Sequence, residues 1–140
     1  MKNWGRAQDI TSWWTMENAS FYHGGDERWL PDKIRWHRII GREDSDDLIF
    51  GIAELDAGEY HLLHYHENAS ECYYVLEGRS WFRVDDEVID GTPGTGIMMR
   101  PGARHAILND SDEKLVFFFA FPKPHYKTIL VETTKPDMGL

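Results

Sequence analysis

The sequence predicts an all-β domain, a barrel of short antiparallel strands preceded by a less regular N-terminal segment. Two observations predict it. From residue 34 onward, short apolar and aromatic runs follow one another with turn formers between them, the spacing of an all-β sandwich or barrel. No repeat, low-complexity tract or linker interrupts the pattern, and 140 residues match one ordinary domain that buries a core without staples.

Residues 1–33 form the irregular segment. Asp9 is placed to cap a short helix carrying Ile10, Trp13 and Trp14, Trp29-Leu30-Pro31 ends the segment, and the segment is expected to serve as a lid, a dimer arm or both. The barrel is expected over residues 34–132, with 133–140 as a tail. Its strands read IRWHRII and LIFGIAEL, then EYHLLHYH, ECYYVLEG, SWFRVDD and EVID, and finally TGIMMR, RHAILN, KLVFFFAF and KTILVE. The run LVFFFAF at 115–121 is apolar on both faces, as in a strand held between the barrel interior and a second layer. A second subunit would supply that layer, which predicts a homodimer. Pro122 and Pro124 stop the strand because proline cannot donate to a ladder.

A net charge of −9 repels polyanions and anionic membrane surfaces, so neither nucleic acid nor membrane is an expected partner. At long range it favours cationic or zwitterionic small molecules. The single cysteine, Cys72, rules out an intrachain disulfide. The N-terminus lacks the apolar run of a signal peptide, and no stretch approaches the ~20 apolar residues of a membrane span, which predicts a cytoplasmic protein. Six tryptophans and six tyrosines supply walls for a small-molecule pocket as well as core packing.

Strict alternation along EYHLLHYH puts Tyr60, Leu62, His64 and His66 on one face and His61, Leu63 and Tyr65 on the other. Glu71 and Tyr73 share a face on the next strand, and His105 leads a later one behind the turn at Gly102. Neutral imidazoles with one carboxylate suit a borderline divalent ion (Fe, Mn, Ni, Co or Zn) and leave positions open for water or substrate. Taken alone, any one of these histidines is an ordinary strand residue. His23, His37, His61 and His125 lack such company and read as surface or packing residues.

Together these segments resemble the two cupin motifs: Gly58-x5-His64-x-His66-x4-Glu71-x6-Gly78, then Gly94-x5-Arg100-x-Gly102-x2-His105-x3-Asn109. The second departs once, with Arg100 where the pattern has proline, and an arginine there could bind a carboxylate. The resemblance implies a double-stranded β-helix, or jelly-roll, barrel holding one divalent ion per chain through His64, His66, Glu71 and His105.

The chain is also similar to the small cupin lyases that cleave dimethylsulfoniopropionate into dimethyl sulfide and acrylate. IRWHRII before FGIAELDAGEYHLLHYH, the segment Glu71-Cys72-Tyr73 and the closing FFFAFPKPHY carry that similarity. The loop from His66 to Glu71 departs from it by one extra residue. The resemblance implies an elimination in which the ion binds a substrate carboxylate and Tyr73, as phenolate, removes the α-proton. Trp36, Tyr60 or Trp81 would face a sulfonium group through cation–π contact. Two other readings of the same residues are a metal-dependent dioxygenase or isomerase and a binding cupin without turnover.

Overall fold

The computed structural model describes residues 32–140 and, ahead of them, the backbone of Glu27–Arg28. The helix expected near Asp9 lies outside the described residues. Among the described residues eleven strands follow in chain order: β1 (Glu27–Arg28), β2 (Arg35–Ile40), β3 (Ile49–Leu55), β4 (Tyr60–Tyr65), β5 (Glu71–Glu77), β6 (Ser80–Val84), β7 (Glu87–Gly91), β8 (Gly96–Met99), β9 (His105–Leu108), β10 (Leu115–Phe121) and β11 (Ile129–Leu130). No helix occurs among the described residues, so none is long and apolar enough to cross a membrane.

The strands form two antiparallel sheets, ordered β1-β2-β3-β10-β5-β8 and β11-β4-β9-β6-β7. Between them lies the main core, built on Ile49, Leu55, Val75, Phe82, Phe117 and Phe119. In β3 and β10 every second side chain is buried, which is the signature of strands with one face on a core. β1 pairs with β2 through Glu27 and Trp36, a strand the sequence pattern does not announce. Residues 133–140, read as a tail, are anchored on the outside of the smaller sheet. Met138 packs there with Leu63, Ala106 and Leu108, and Arg83 donates to the Asp137 carbonyl.

The outer face of the larger sheet carries an apolar strip beside the ion-pair cluster of Arg35, His37 and Glu54. Register places Phe118 between Ile52 and Tyr74, and Ala120 between Phe50 and Cys72. Tyr74, Leu76 and Met98 are exposed on the same sheet, with Met98 at 62%. Among the described residues no second layer covers this face.

One irregularity decides what enters the barrel. On β4, His61 pairs with Ile107 and His64 with His105, so three steps along β4 match two along β9. This is a β-bulge, and the extra residue inverts the alternation expected for EYHLLHYH. His61 therefore faces the same interior as His64, with ring centroids 4.3 Å apart, while Tyr60 turns outward against the Leu63 and Leu108 cluster.

Candidate metal centre

The bulged end of β4 delivers His64, and the turn after it delivers His66. Glu71 opens β5 and His105 opens β9. All four are buried, and their nearest ligand atoms lie within 4.8 Å of one another. Gly102 ties the two halves together: its φ of +84° makes the turn before β9, and its N–H donates to the His66 carbonyl at 2.9 Å.

Each imidazole is oriented from behind. His64 Nδ1 donates to the Leu62 carbonyl at 2.6 Å, His66 Nδ1 to the Lys127 carbonyl at 3.0 Å, and His105 Nδ1 to the Ala103 carbonyl at 2.9 Å. A carbonyl only accepts, so each Nδ1 carries the proton and each neutral ring presents an Nε2 lone pair. Glu71 Oε1 lies 3.1 Å from His105 Nε2 and 3.2 Å from His66 Nε2. His66 Nε2 is buried without a hydrogen-bond partner in the protein. Lone pairs converging on a buried carboxylate with no proton to share are the electronic demand a divalent cation meets, so the residues fit a metal ion.

The charge states agree. Burial, then the neighbouring imidazoles of His61 and His105, hold His64 well below the usual histidine range, so it stays neutral. Burial alone would raise the Glu71 pKa, but the His105 and His66 rings beside it outweigh burial and hold the carboxyl below its usual value. Both shifts destabilise the metal-free protein in acid. Below about pH 6.5 the unfolded chain protonates residue 64 while the fold resists, and below about pH 4.5 the same holds for Glu71. The melting temperature of metal-free protein is therefore expected to fall in two stages on acidification. A flat profile across both windows would contradict these assignments.

Above His64, His66 and Glu71 opens a cavity of about 270 Å³. Trp36 lines it from β2, its ring edge-on to His61 at 5.3 Å. His61 is held by Asp32, whose Oδ2 lies 2.6 Å from Nδ1 and also accepts from the Leu62 N–H at the bulge. Arg38, Arg42 and Tyr126 extend the same wall.

The structure separates the remaining sequence-derived candidates. Tyr60 and Trp81 lie on the outer face of the smaller sheet, where the Trp81 Nε1–H donates to Asp110 at 3.0 Å. Arg100 is exposed on the turn before β9 and does not line the cavity. Tyr73 is buried among Phe82, Phe117 and His105, does not line the cavity, and its hydroxyl has no hydrogen-bond partner. Burial and the Glu71 charge push its pKa well above the usual phenol value. His37 pairs with Glu54 at 3.1 Å, His125 is exposed, and His23 lies outside the described residues. Arg38 carried a legible signal, since it is two residues beyond Trp36 on one strand and so shares its face.

The family profile described as "Cupin domain" matches residues 51–121. No curated protein matches the chain. Among solved structures, the polyketide cyclase RemF from Streptomyces resistomycificus is similar with a TM-score of 0.68 and 19% identity, over 84% of this chain and 88% of that one. TT1209 from Thermus thermophilus is similar with a TM-score of 0.60 and 25% identity, over 69% of this chain and 90% of that one. The DMSP lyase DddQ from Ruegeria pomeroyi is similar with a TM-score of 0.56 and 24% identity, over 61% of this chain but 44% of that one.

Proposed function

Because this chain belongs to the cupin domain family, we propose that it is a metal-dependent enzyme acting on a small carboxylate metabolite. The observation that carries this is the buried set of His64, His66, Glu71 and His105 at the base of a cavity of metabolite size. A bound divalent ion would supply Lewis-acid stabilisation of charge developing on a substrate carboxylate. The chain's own residues do the rest. Asp32 fixes the His61 ring at the cavity wall, and Trp36 closes one side with an apolar surface.

For the reaction we propose elimination of a β-substituent, with Tyr73 taking the α-proton. Burial and Glu71 both favour the neutral phenol, so this role depends on the cation's charge offsetting them. The burial of Tyr73 away from the cavity lining favours a second reading, a dioxygenase or isomerase in which Tyr73 is not the base. A binding cupin without turnover is the third. The discriminating experiment is anaerobic assay of protein reconstituted separately with Fe, Mn, Ni, Co and Zn, offering dimethylsulfoniopropionate and following acrylate. Metal-dependent acrylate that disappears in Tyr73→Phe at unchanged metal content supports the elimination. Stoichiometric metal with no acrylate rejects that substrate, and turnover that requires oxygen selects the dioxygenase.

We further propose that the protein is a homodimer joined through the apolar strip on the outer face of the larger sheet. Phe118 sits in that strip, its ring 5.7 Å from Phe50. Light scattering is expected to give twice the chain mass for the wild type and the chain mass for Phe118→Glu. A monomeric wild type would remove the proposal.

A further inference from the structure

We propose that Asn68, on the loop between His66 and Glu71, is a positioning residue that latches residues 123–128 beside the site, so that this strap and the metal ion hold one another in place. This rests on the metal-site reading above and extends it to a side chain outside the ligand set.

The hydrogen bonds of Asn68 carry the inference. Its side-chain Nδ2–H donates to the His125 carbonyl at 2.8 Å, and its Oδ1 accepts from the Lys127 N–H at 3.0 Å. One amide therefore grips the backbone on both sides of Tyr126, satisfying a donor and an acceptor that lie outside the strands. The Asn68 carbonyl accepts a third bond, from Lys123 Nζ at 2.9 Å. The loop end of this latch is itself anchored, because the next residue, Ala69, is buried in the main core. The far end of the strap runs into β11, where Ile129 and Leu130 pair with Tyr65 and His64.

The strap gives the site an acceptor and a wall. The carbonyl of Lys127, the residue whose N–H Asn68 holds, accepts from His66 Nδ1 at 3.0 Å and so aims Nε2 at the cluster. Thr128 Oγ1 lies 3.2 Å from the same Nδ1. Tyr126, between the two gripped backbone groups, stacks on Phe121 at 3.7 Å and stands edge-on to the His66 ring at 5.3 Å. Asn68 thus reaches His66 by two routes, along the chain through the loop and across it through the strap. Such coupling is reciprocal: whatever affinity the ordered strap lends the ion, the ion returns as order in the strap.

Both directions of the coupling can be measured. Wild type, Asn68→Ala and Ser70→Ala, a control on the same loop, are titrated with Co(II) against a chelator, and hydrogen exchange of the Lys127 amide is followed with and without the ion. Asn68 acts at one remove from the ligand, so Asn68→Ala is expected to weaken Co(II) binding about tenfold, the lower end of the range for lost ligand support, and to alter the ligand-field spectrum at saturation. Ser70→Ala should match wild type in both. Co(II) should slow Lys127 exchange in wild type and by much less in Asn68→Ala. Asn68→Asp keeps the acceptor for the Lys127 N–H and guards against misfolding of the alanine variant, so its Lys127 exchange should stay close to wild type. Exchange there as fast as in Asn68→Ala, or equal loss of Co(II) in Ser70→Ala, overturns the inference. So does Co(II) affinity in Asn68→Ala within about twofold of wild type with an unchanged spectrum, a result that leaves the metal site standing. Wild type that takes up no Co(II) overturns the metal reading, and the inference with it.

Discussion

His105→Ala is expected to strip the protein of its metal. The imidazole is 1% exposed at the head of β9, its Nδ1 fixed by the Ala103 carbonyl and its Nε2 3.1 Å from Glu71. Truncation removes one donor and leaves the Glu71 carboxylate with one fewer neighbour in a buried space. Changes that merely loosen the support of a metal ligand cost about 10–100-fold in affinity, so loss of the ligand itself should exceed about 100-fold. His61→Ala is the informative control. His61 touches the same cavity and lies beside His64, but it is committed to Asp32 and stands outside the ligand set. Chelator competition on the two variants, with folding checked by near-ultraviolet circular dichroism, should show His105→Ala without metal and His61→Ala with one ion per chain. Equal retention by both would remove His105 from the site.

That control exists because the sequence and the structure disagree about His61. Strand order and the meeting of His64, His66, Glu71 and His105 are legible from residues 34 to 132, since short apolar runs between turn formers define the strands. The spacings that set His64, His66 and Glu71 apart do not depend on how β4 pairs. Pairing is where legibility ends. Whether His61 or Tyr60 faces inward depends on one extra residue opposite Ile107 and His105, and no local propensity in EYHLLHYH marks it. Trp81 stands away from the cavity for a related reason. Its face is set by Phe82, which claims the interior, so the neighbouring indole must turn out.

The cavity wall shows a second limit of the same kind. Tyr126 reaches the site from sixty residues beyond His66 in the chain, by stacking on Phe121, and Arg42 follows it there. Such contacts belong to the closed barrel and have no counterpart in any single segment. Arg100, which replaces a proline in the motif, lies on the solvent side of its turn. The charge of −9 is a property of the whole chain and does not describe the cavity, whose described lining includes Arg38, Arg42 and Glu71.

Gly78→Ala should cost far more stability than Gly94→Ala, although both glycines hold left-handed backbone and both occupy motif positions. Gly94, at φ +94°, has nothing within 4 Å of where a Cβ would go, so alanine there costs about 1–2 kcal/mol for the conformation alone. Gly78, at φ +80°, would place a Cβ 2.2 Å from the Lys114 carbonyl oxygen and 2.9 Å from its carbon. Those are backbone atoms at the entrance to β10, which a rotamer change does not move. The strand must shift, and with it Phe119 and Phe121 in the cavity wall, so a total of roughly 3–5 kcal/mol is expected. Against a typical domain stability of about 5–15 kcal/mol, that is enough to leave Gly78→Ala marginally folded. Urea unfolding of the two variants measures the difference directly. If they lie within about 1 kcal/mol of each other, the β5–β6 turn yields to a Cβ, and the fixed spacing from Glu71 to Gly78 has another cause.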